Sequence, residues 1–231
     1  MAGVYHRGPV SEKKPSETPA MQQYRQFKEQ YPDYILLFRM GDFYELFYED
    51  AKIASRELGL ALTSRSKGPS AIPLAGMPYH AIDSYLARLI RAGHRVAICE
   101  QVEDAAQAKG VVKREVVRLV TPGTLTEDSL LEQREGNYLA AIFQTDTKAD
   151  GPQAGLAWVE LSSGLFQSMS APADHVLDEL VRIAPAEVLI AEGSTLDVLD
   201  FRKAVTQCTS ATVVSRPPWA LDARSSVEIL H

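Results

Sequence analysis

Residues 34–51, YILLFRMGDFYELFYEDA, place a short apolar run before a Gly-Asp pair and a segment rich in aromatic and acidic side chains. The run from Tyr34 to Phe38 has the length of a strand, and Gly41-Asp42 is typical of a corner in the chain. Beyond the corner, apolar residues recur at helical spacing and are followed by Gly59: Leu46, Phe47, Ala51, Ala54 and Leu58. The stretch therefore predicts a strand that turns directly into an amphipathic helix.

Asp42 and Glu45 have the spacing of a capping box, in which two side chains satisfy free N–H groups at the start of a helix. Both carboxylates also suit the positive end of the helix dipole. The box does not account for Phe43, because an aromatic side chain at the first helical position projects away from the main apolar stripe. Two interpretations of Phe43 stay open: a hydrophobic staple, or a wedge that enters between base pairs from the minor groove.

On either side of this stretch, the first half of the chain alternates between helical and extended patterns. Apolar residues at 21, 24 and 27 predict a helix that ends near Pro32, and the spacing from Ile82 to Ile90 predicts another that ends at Gly93. Strands are predicted for ALTSRS, RVAICEQV and KREVVRLV. The glycine- and proline-rich SRSKGPSAIPLAGMP predicts a loop.

A second unit follows the polar segment TEDSLLEQREGN. Its strand patterns are YLAAIFQ, GLAWVELSSGLFQSMS (two strands broken at the Ser-Ser-Gly), AEVLIAE and TSATVVSRP, and its helical patterns are HVLDELVRIAP and STLDVLDFRKAV. Strands that alternate with helices indicate an α/β unit with a partly parallel sheet.

Composition and charge limit the function classes. The chain is 45% hydrophobic and 23% charged, which is ordinary for a globular protein, and it has no apolar run of the roughly 18 residues that a membrane helix needs. Cys99 lies in an apolar stretch far from Cys208, so we expect it to be a buried free thiol and not half of a disulfide. A free thiol indicates a reducing compartment. Residues 1–122 carry 17 basic and 14 acidic side chains (+3), whereas the remainder carries 7 and 16 (−9). This asymmetry directs a search for nucleic-acid contact to the first half.

RMGDFYELFYEDA (39–51) resembles the start of the mismatch-recognition domain of the bacterial MutS DNA mismatch repair proteins, whose signature is a Phe-x-Glu pair within G-D-F-Y-E. The likeness continues in order through TPAMQQY, ALTSR, IPLAGMPYHA, YLARLI, VAICEQV and VVRLVTPGT, which cover most of residues 18–135. In the acidic second half, GLAWVELSSGLF and PAEVLIAE resemble the connector domain of that family.

The resemblance implies a mixed-sheet α/β mismatch-recognition domain followed by a ribonuclease-H-like connector domain. We expect a flexible, polar leader over residues 1–17, the recognition domain over 18–126, a linker over 127–137 and the connector over 138–231. The sequence stops within SSVEILH, which has the pattern of a beginning helix. The chain is therefore expected to be an N-terminal fragment with an incomplete connector.

The resemblance also implies which residues contact DNA. Phe43 takes the place of the stacking residue and Glu45 that of the base-contacting residue, with support from the adjoining loop and strand end: Met40, Gly41, Asp42 and Tyr44. Four cations become expected phosphate contacts that position the duplex: Arg65, Lys67, Arg114 and Arg118. His80 has no second His or Cys at ligand spacing, so we expect a hydrogen-bonded packing residue and no metal site.

The expected function is recognition of mismatched or unpaired bases in duplex DNA at the start of mismatch repair. The alternative is a protein-interaction module for docking or relay, without a preference for mismatches. The family resemblance implies that full-length members are ATP-dependent DNA clamps that act as homodimers and contact a MutL-type partner. It places ATP and Mg²⁺ in a C-terminal domain beyond these residues, so we expect no cofactor here. A bacterial cytosolic, nucleoid-associated location is expected.

An enzyme is the remaining alternative, because a ribonuclease-H-like fold suggests a two-metal nuclease. Such a centre needs several carboxylates gathered on the sheet. The candidate strands offer only Asp146, beyond the apolar run, and a single Glu160. We find no Gly-rich phosphate loop, no G-x-S-x-G elbow and no Cys/His pair with an orienting group. The sequence predicts no catalytic residue.

Overall fold

The fold is described from a computed structural model, which covers residues 18–64, 71–103, 108, 110–125, 136–147, 151–222 and 226–228. The expected leader, most of the expected linker, and residues 65–70, which include Arg65 and Lys67, lie outside these residues. The described chain forms two α/β units, each built on one mixed sheet. This confirms the predicted fold class. No helix within the described ranges is long and apolar enough to cross a membrane.

The first unit has a six-stranded sheet of order β3-β4-β2-β1-β5-β6. Its helices are α1 (Pro19–Gln30), α2 (Tyr48–Leu58) and α3 (Ile82–Arg91), and its strands are β1 (Ile35–Met40), β2 (Phe43–Phe47), β3 (Thr63–Ser64), β4 (Pro73–Pro78), β5 (Val96–Gln101) and β6 (Arg114–Val120). Strands β1 and β5 are parallel, and the remaining pairs are antiparallel.

Both faces of this sheet are covered. Ile35 and Leu37 of β1 pack in the core below α2 and α3, whereas Leu36 and Phe38 point to the other face, where Tyr24 of α1 contacts them. A central strand between two helical layers buries every side chain, which is why β1 begins with an unbroken apolar run. Helix α1 covers one end of its face of the sheet and leaves the end at the β1–β2 turn exposed.

The segment after Gly41-Asp42 is a strand, so the predicted strand-to-helix corner and its capping box are wrong. Residues 43–45 pair with β1 on one side, and residues 43–47 pair with β4 on the other. The helix begins only at Tyr48, where φ is 53°. Alternation decides this difference: Tyr44 and Leu46 point into the core below α2 and α3, so the period is two. The helical spacing holds only from Ala51 onward.

A second correction concerns the predicted loop before His80, because this segment contains strand β4. Ala75 and Met77 alternate into the core, and the two prolines stand at the strand ends, where Pro is tolerated. Strand β4 pairs along the whole length of β2. The glycine and prolines of this segment therefore mark close packing against β2 instead of a surface loop.

The second unit has strands β7 (Tyr138–Thr147), β8 (Gly151–Glu160), β9 (Leu165–Pro172), β10 (Glu187–Ala191) and β11 (Thr212–Arg216), with helices α4 (Val176–Ile183) and α5 (Leu199–Thr209). The sheet order is β11-β10-β7-β8-β9; β7, β10 and β11 are parallel, and β8 is antiparallel to both of its neighbours. Three consecutive antiparallel strands followed by two parallel ones agree with the expected ribonuclease-H-like connector.

The two units meet at a close backbone contact. The N–H group of Gly123 donates to the buried carboxylate of Glu187 over 3.0 Å, and the Asn137 side chain donates to the carbonyl oxygens of Pro122 and Leu125. A Cβ at Gly123 would lie 2.9 Å from the Glu187 Cβ, so only glycine fits this approach. The end of the first unit is thereby fixed against the sheet of the second.

Candidate nucleic-acid interface

Phe43 and Glu45 lie beside each other on an exposed part of the β1–β2 hairpin. A two-residue turn at Gly41 (φ 60°) and Asp42 joins the strands, and the register places Met40 opposite Phe43 and Phe38 opposite Glu45. Residues two apart in a strand share a face, so Phe43 and Glu45 point the same way. We refer to Phe43 and Glu45 as the hairpin pair.

The hairpin pair lies on the face of the sheet that α1 covers only in part. Phe47, two residues beyond Glu45 on the same face, is fully buried with its ring centroid 4.9 Å from that of Tyr24. Phe43 is 48% exposed, and Glu45 is half-buried. An apolar ring held at the end of a rigid hairpin and open to solvent is available to a ligand.

Strand β4 borders the hairpin pair on its other side. Its register places Gly76 opposite Glu45 and Pro78 opposite Phe43. Gly76 carries no side chain, and a Cβ built there would lie 3.9 Å from Cδ1 of Phe43. The position of β4 opposite Glu45 therefore carries no side chain, and the Phe43 ring lies close to it.

Two hydrogen bonds and a cation–π contact hold the turn. Arg39 donates from Nε to the carbonyl oxygen of Gly41, and the N–H group of Tyr79 donates to that of Asp42 over 2.9 Å. The Arg39 guanidinium also lies 3.8 Å from the centre of the Tyr79 ring. The turn is thus tied both to β1 and to the end of β4. Sequence reasoning missed Tyr79, because no local pattern indicates a contact across 37 residues.

Tyr44 supports the hairpin from the opposite face. Its side chain is buried and donates a hydrogen bond to Glu100, which also pairs with Arg39 over 3.4 Å. Burial and the Glu100 carboxylate raise the pKa of Tyr44 well above its ordinary value, so the phenol stays protonated and remains a donor. The expectation that Met40, Gly41, Asp42 and Tyr44 adjoin the hairpin pair agrees with this arrangement, although Tyr44 points away from it.

The expected phosphate contacts occupy different environments. Arg114 is only 7% exposed and uses its guanidinium on internal acceptors, a placement that does not support a phosphate contact. Arg118 is half-buried on β6 opposite Ile98, whose side chain belongs to the core under α2 and α3. It therefore lies on the other face of the sheet from the hairpin pair. Arg65 and Lys67 fall outside the described residues.

His80 differs from the expectation of a packing residue. The side chain is exposed, and its ring meets that of Tyr79 edge to face with centroids 5.8 Å apart. It lies in the short turn that follows β4, next to the residues that hold the hairpin. His80 therefore belongs to the surface around the turn.

The described residues contain no group of three or more His, Cys, Asp or Glu that could hold a metal ion. Glu160, considered above for a nuclease centre, accepts a hydrogen bond from Ser163 in the β8–β9 turn, and the side chain of Asp146 is not among those described. What the hairpin pair offers is a stacking ring next to a carboxyl group. Such a pair suits the binding of a base.

Comparison with known proteins agrees with this division into two units. Residues 18–129 match the family model for MutS domain I, and residues 137–219 match that for MutS domain II. A protein of Methanothrix thermoacetophila named DNA mismatch repair protein MutS is 50% identical over 187 residues, which cover 80% of this chain and 21% of the relative.

Two further relatives carry the same name. That of Rhodopirellula baltica is 47% identical over 231 residues, covering 91% of this chain and 25% of its own length. That of Dinoroseobacter shibae is 52% identical over 185 residues, covering 78% of this chain and 20% of its own. The chain therefore spans about a fifth to a quarter of the length of the curated relatives it matches.

Proposed function

We propose that the first domain of this chain, which belongs to the MutS family of DNA mismatch repair proteins, recognises mismatched or unpaired bases through Phe43 and Glu45. The observation that carries the proposal is the exposure of Phe43 on a sheet face where Phe47 is fully buried. An apolar ring that the fold supports but does not cover has the position that a wedge between base pairs requires.

The physics of mismatches favours such a wedge. A mispaired step stacks and pairs poorly, so opening it costs less than the few kcal/mol needed at a sound step. Phe43 would therefore discriminate by the deformability of the duplex. Because the ring stands at the end of a hairpin that is tied to β4, little entropy would be lost in ordering it on binding.

Glu45 would act against intact duplex. A carboxylate near phosphates is repelled, and as an ionised group it can accept only from a base N–H. Facing a purine N7 it must be protonated to donate. Repulsion that is relieved only where a displaced base offers a partner would disfavour paired DNA more than mismatched DNA.

The test is binding of this chain to a G·T-mismatched and a fully paired duplex at low salt, because phosphate-driven affinity falls steeply as salt rises. We expect a preference for the mismatch that Phe43→Ala abolishes. Phe143→Ala is the matched control, since Phe143 is 50% exposed but lies on β7 of the second domain.

The same measurements are made with residues 1–231 grafted in place of the corresponding segment of a full-length relative. A preference in the graft alone would mean that the other domains are needed to press the ring into the duplex. Equal affinity for both duplexes in the two formats would overturn the proposal.

Protein docking by the second domain is the second candidate function. Leu165 and Phe166 begin the edge strand β9, and Phe166 is 66% exposed. An edge strand with exposed apolar side chains suits contact with another protein. We propose that this domain contributes to binding a MutL-type partner, and Phe166→Ser should weaken that binding while the mismatch preference stays unchanged.

The remaining expectations concern the longer proteins that the chain resembles. We propose that ATP and Mg²⁺ act in other domains of a full-length protein, which would work as a dimeric DNA clamp. No step of ATP hydrolysis is assigned to residues of this chain. A cytosolic location, with access to the nucleoid, is proposed from the same resemblance.

A further inference from the structure

Arg114 contacts the two residues of β1 that oppose the hairpin pair. Its guanidinium stands 4.8 Å from the centre of the Phe38 ring, and its Nη2 lies 3.3 Å from Sδ of Met40. Phe38 is the cross-strand partner of Glu45, and Met40 that of Phe43. The buried Arg114 side chain therefore contacts the cross-strand partner of each member of the hairpin pair.

The guanidinium is fixed by three elements of the fold. Nε donates to the carbonyl oxygen of Arg39 over 2.7 Å, and Nη1 donates to those of Val112 over 2.9 Å and of the Gln23 side chain over 3.1 Å. Strand β1, the start of β6 and helix α1 thus meet at one planar group. A guanidinium presents donors in a rigid fork, so its position is set by these acceptors.

The charge of Arg114 also acts on the Glu45 carboxylate. Burial lowers the pKa of the guanidinium, while Cys99 and the Glu45 carboxylate act in the opposite direction. A cation that interacts with Glu45 from inside the fold stabilises the carboxylate where it lies. It offers no phosphate contact, because only 7% of the residue is exposed.

We propose that Arg114 is a positioning residue for mismatch reading. Through its contacts with Met40 and Phe38, it sets how far the Phe43 and Glu45 side chains project from the sheet and how they are oriented. The proposal rests on the proposed function of the hairpin pair. A reading side chain must be held within about 0.5 Å of its productive position, and this requires a rigid second layer. Arg114 is the group that joins that layer to β1, β6 and α1.

Lysine at this position would keep the charge but lose the planar set of N–H donors. Its single ammonium cannot reach the Arg39, Val112 and Gln23 acceptors and also pack on Phe38 and Met40. We expect Arg114→Lys to lower the ratio of mismatch to paired-duplex affinity about tenfold, with unchanged affinity for paired duplex. Gln23→Ala, which removes one acceptor on a helix away from the hairpin, should lower the ratio about threefold.

Arg88→Lys is the matched control. Arg88 also donates from its guanidinium to two distant carbonyl oxygens, those of Glu57 and Leu58, but it lies on α3 on the other side of the sheet. Its replacement should leave the ratio unchanged. In a Phe43→Ala background, Arg114→Lys should cause no further loss of the ratio, because that variant already lacks the mismatch preference.

Both duplexes are titrated over a range of salt, with the chain alone and with the graft into a full-length relative, and each variant's thermal midpoint is measured. Equal losses for both duplexes, with a salt slope reduced by about one, would identify a phosphate contact and overturn the proposal. A lower thermal midpoint with an unchanged ratio would overturn it as well. No preference in the unsubstituted protein would instead refute the proposed function itself.

Discussion

Phe43 and Phe47 point from the same face of one strand, yet Phe47 is fully buried against Tyr24 and Phe43 is 48% exposed. The difference comes from helix α1, which covers one end of that face and leaves the hairpin end open. The fold therefore assigns one aromatic ring to the core and leaves the other exposed to solvent, although both stand in the sequence Phe-Tyr-Glu.

This relationship predicts that the same substitution, Phe to Ala, affects stability at one position and mismatch preference at the other. Phe47→Ala should reduce the free energy of unfolding by about 3–5 kcal/mol, because it opens a cavity beside Tyr24 and Phe38. Phe43→Ala should change it by less than about 1 kcal/mol while it removes the mismatch preference. Urea denaturation of both variants measures the effect. Similar losses of stability would show that Phe43 is a core residue.

Glu45→Gln should bring mismatched and paired duplexes closer in affinity. Removing one half-buried negative charge near phosphates is worth about 1 kcal/mol, so we expect paired duplex to bind about fivefold more tightly. Glu57→Gln, with the same change of charge on α2, is the control. An unchanged ratio of the two affinities would exclude the proposed role of Glu45.

Lys28 and Asp50 form a partly buried ion pair that joins α1 to α2. The Asp50 carboxylate is 4% exposed and accepts from Lys28 over 2.8 Å, from the Leu36 N–H over 3.0 Å and from the Tyr24 hydroxyl over 3.2 Å. Lys28→Met leaves this carboxylate without its cation, so we expect a loss of about 1–3 kcal/mol in unfolding free energy.

The control for that loss is Lys52→Met, whose ion pair with Glu49 is exposed and should contribute less than about 1 kcal/mol. Adding Asp50→Asn to Lys28→Met should recover part of the stability, since the uncompensated charge disappears. Strictly additive losses in this cycle would show that the two side chains do not interact.

The two cysteines should differ in reactivity. Burial raises the pKa of the Cys99 thiol to about 12, whereas Cys208 is exposed. At pH 8 a disulfide reagent should modify Cys208 within minutes and Cys99 only after unfolding. Because folded Cys99 keeps a proton that the unfolded chain loses near pH 9, its contribution to stability should fall between about pH 9 and pH 12.

Cys99→Ala should lack that alkaline loss of stability, which can be followed by urea denaturation at several pH values. Rapid reaction of both thiols in the native protein would show that the sheet face beneath α1 opens readily.

Much of the fold could be predicted from the sequence. Helices α1 and α3 and strands β1, β5 and β6 have periodicities that burial on one or two faces dictates, and the same holds for the alternation of strands and helices in the second domain. Phe43 and Glu45 were selected through the family resemblance, and their role in reading DNA stays a prediction. Their setting in the fold was not predicted: capping-box spacing and strand alternation compete within residues 42–47, and only pairing with β1 and β4 decides between them.

The sequence by itself determined the two-domain α/β organisation, which follows from local patterns of apolar and polar residues. It pointed to Phe43 and Glu45 through the resemblance of residues 39–51 to the MutS family. Only the tertiary structure decided that these side chains share one face, that Gly76 lies opposite Glu45 and that Arg114 contacts the residues of β1 opposite the pair. The physical reason is distance along the chain. Arg114 meets Arg39 across 75 residues and Gln23 across 91, and contacts over such separations leave no periodic pattern in the sequence.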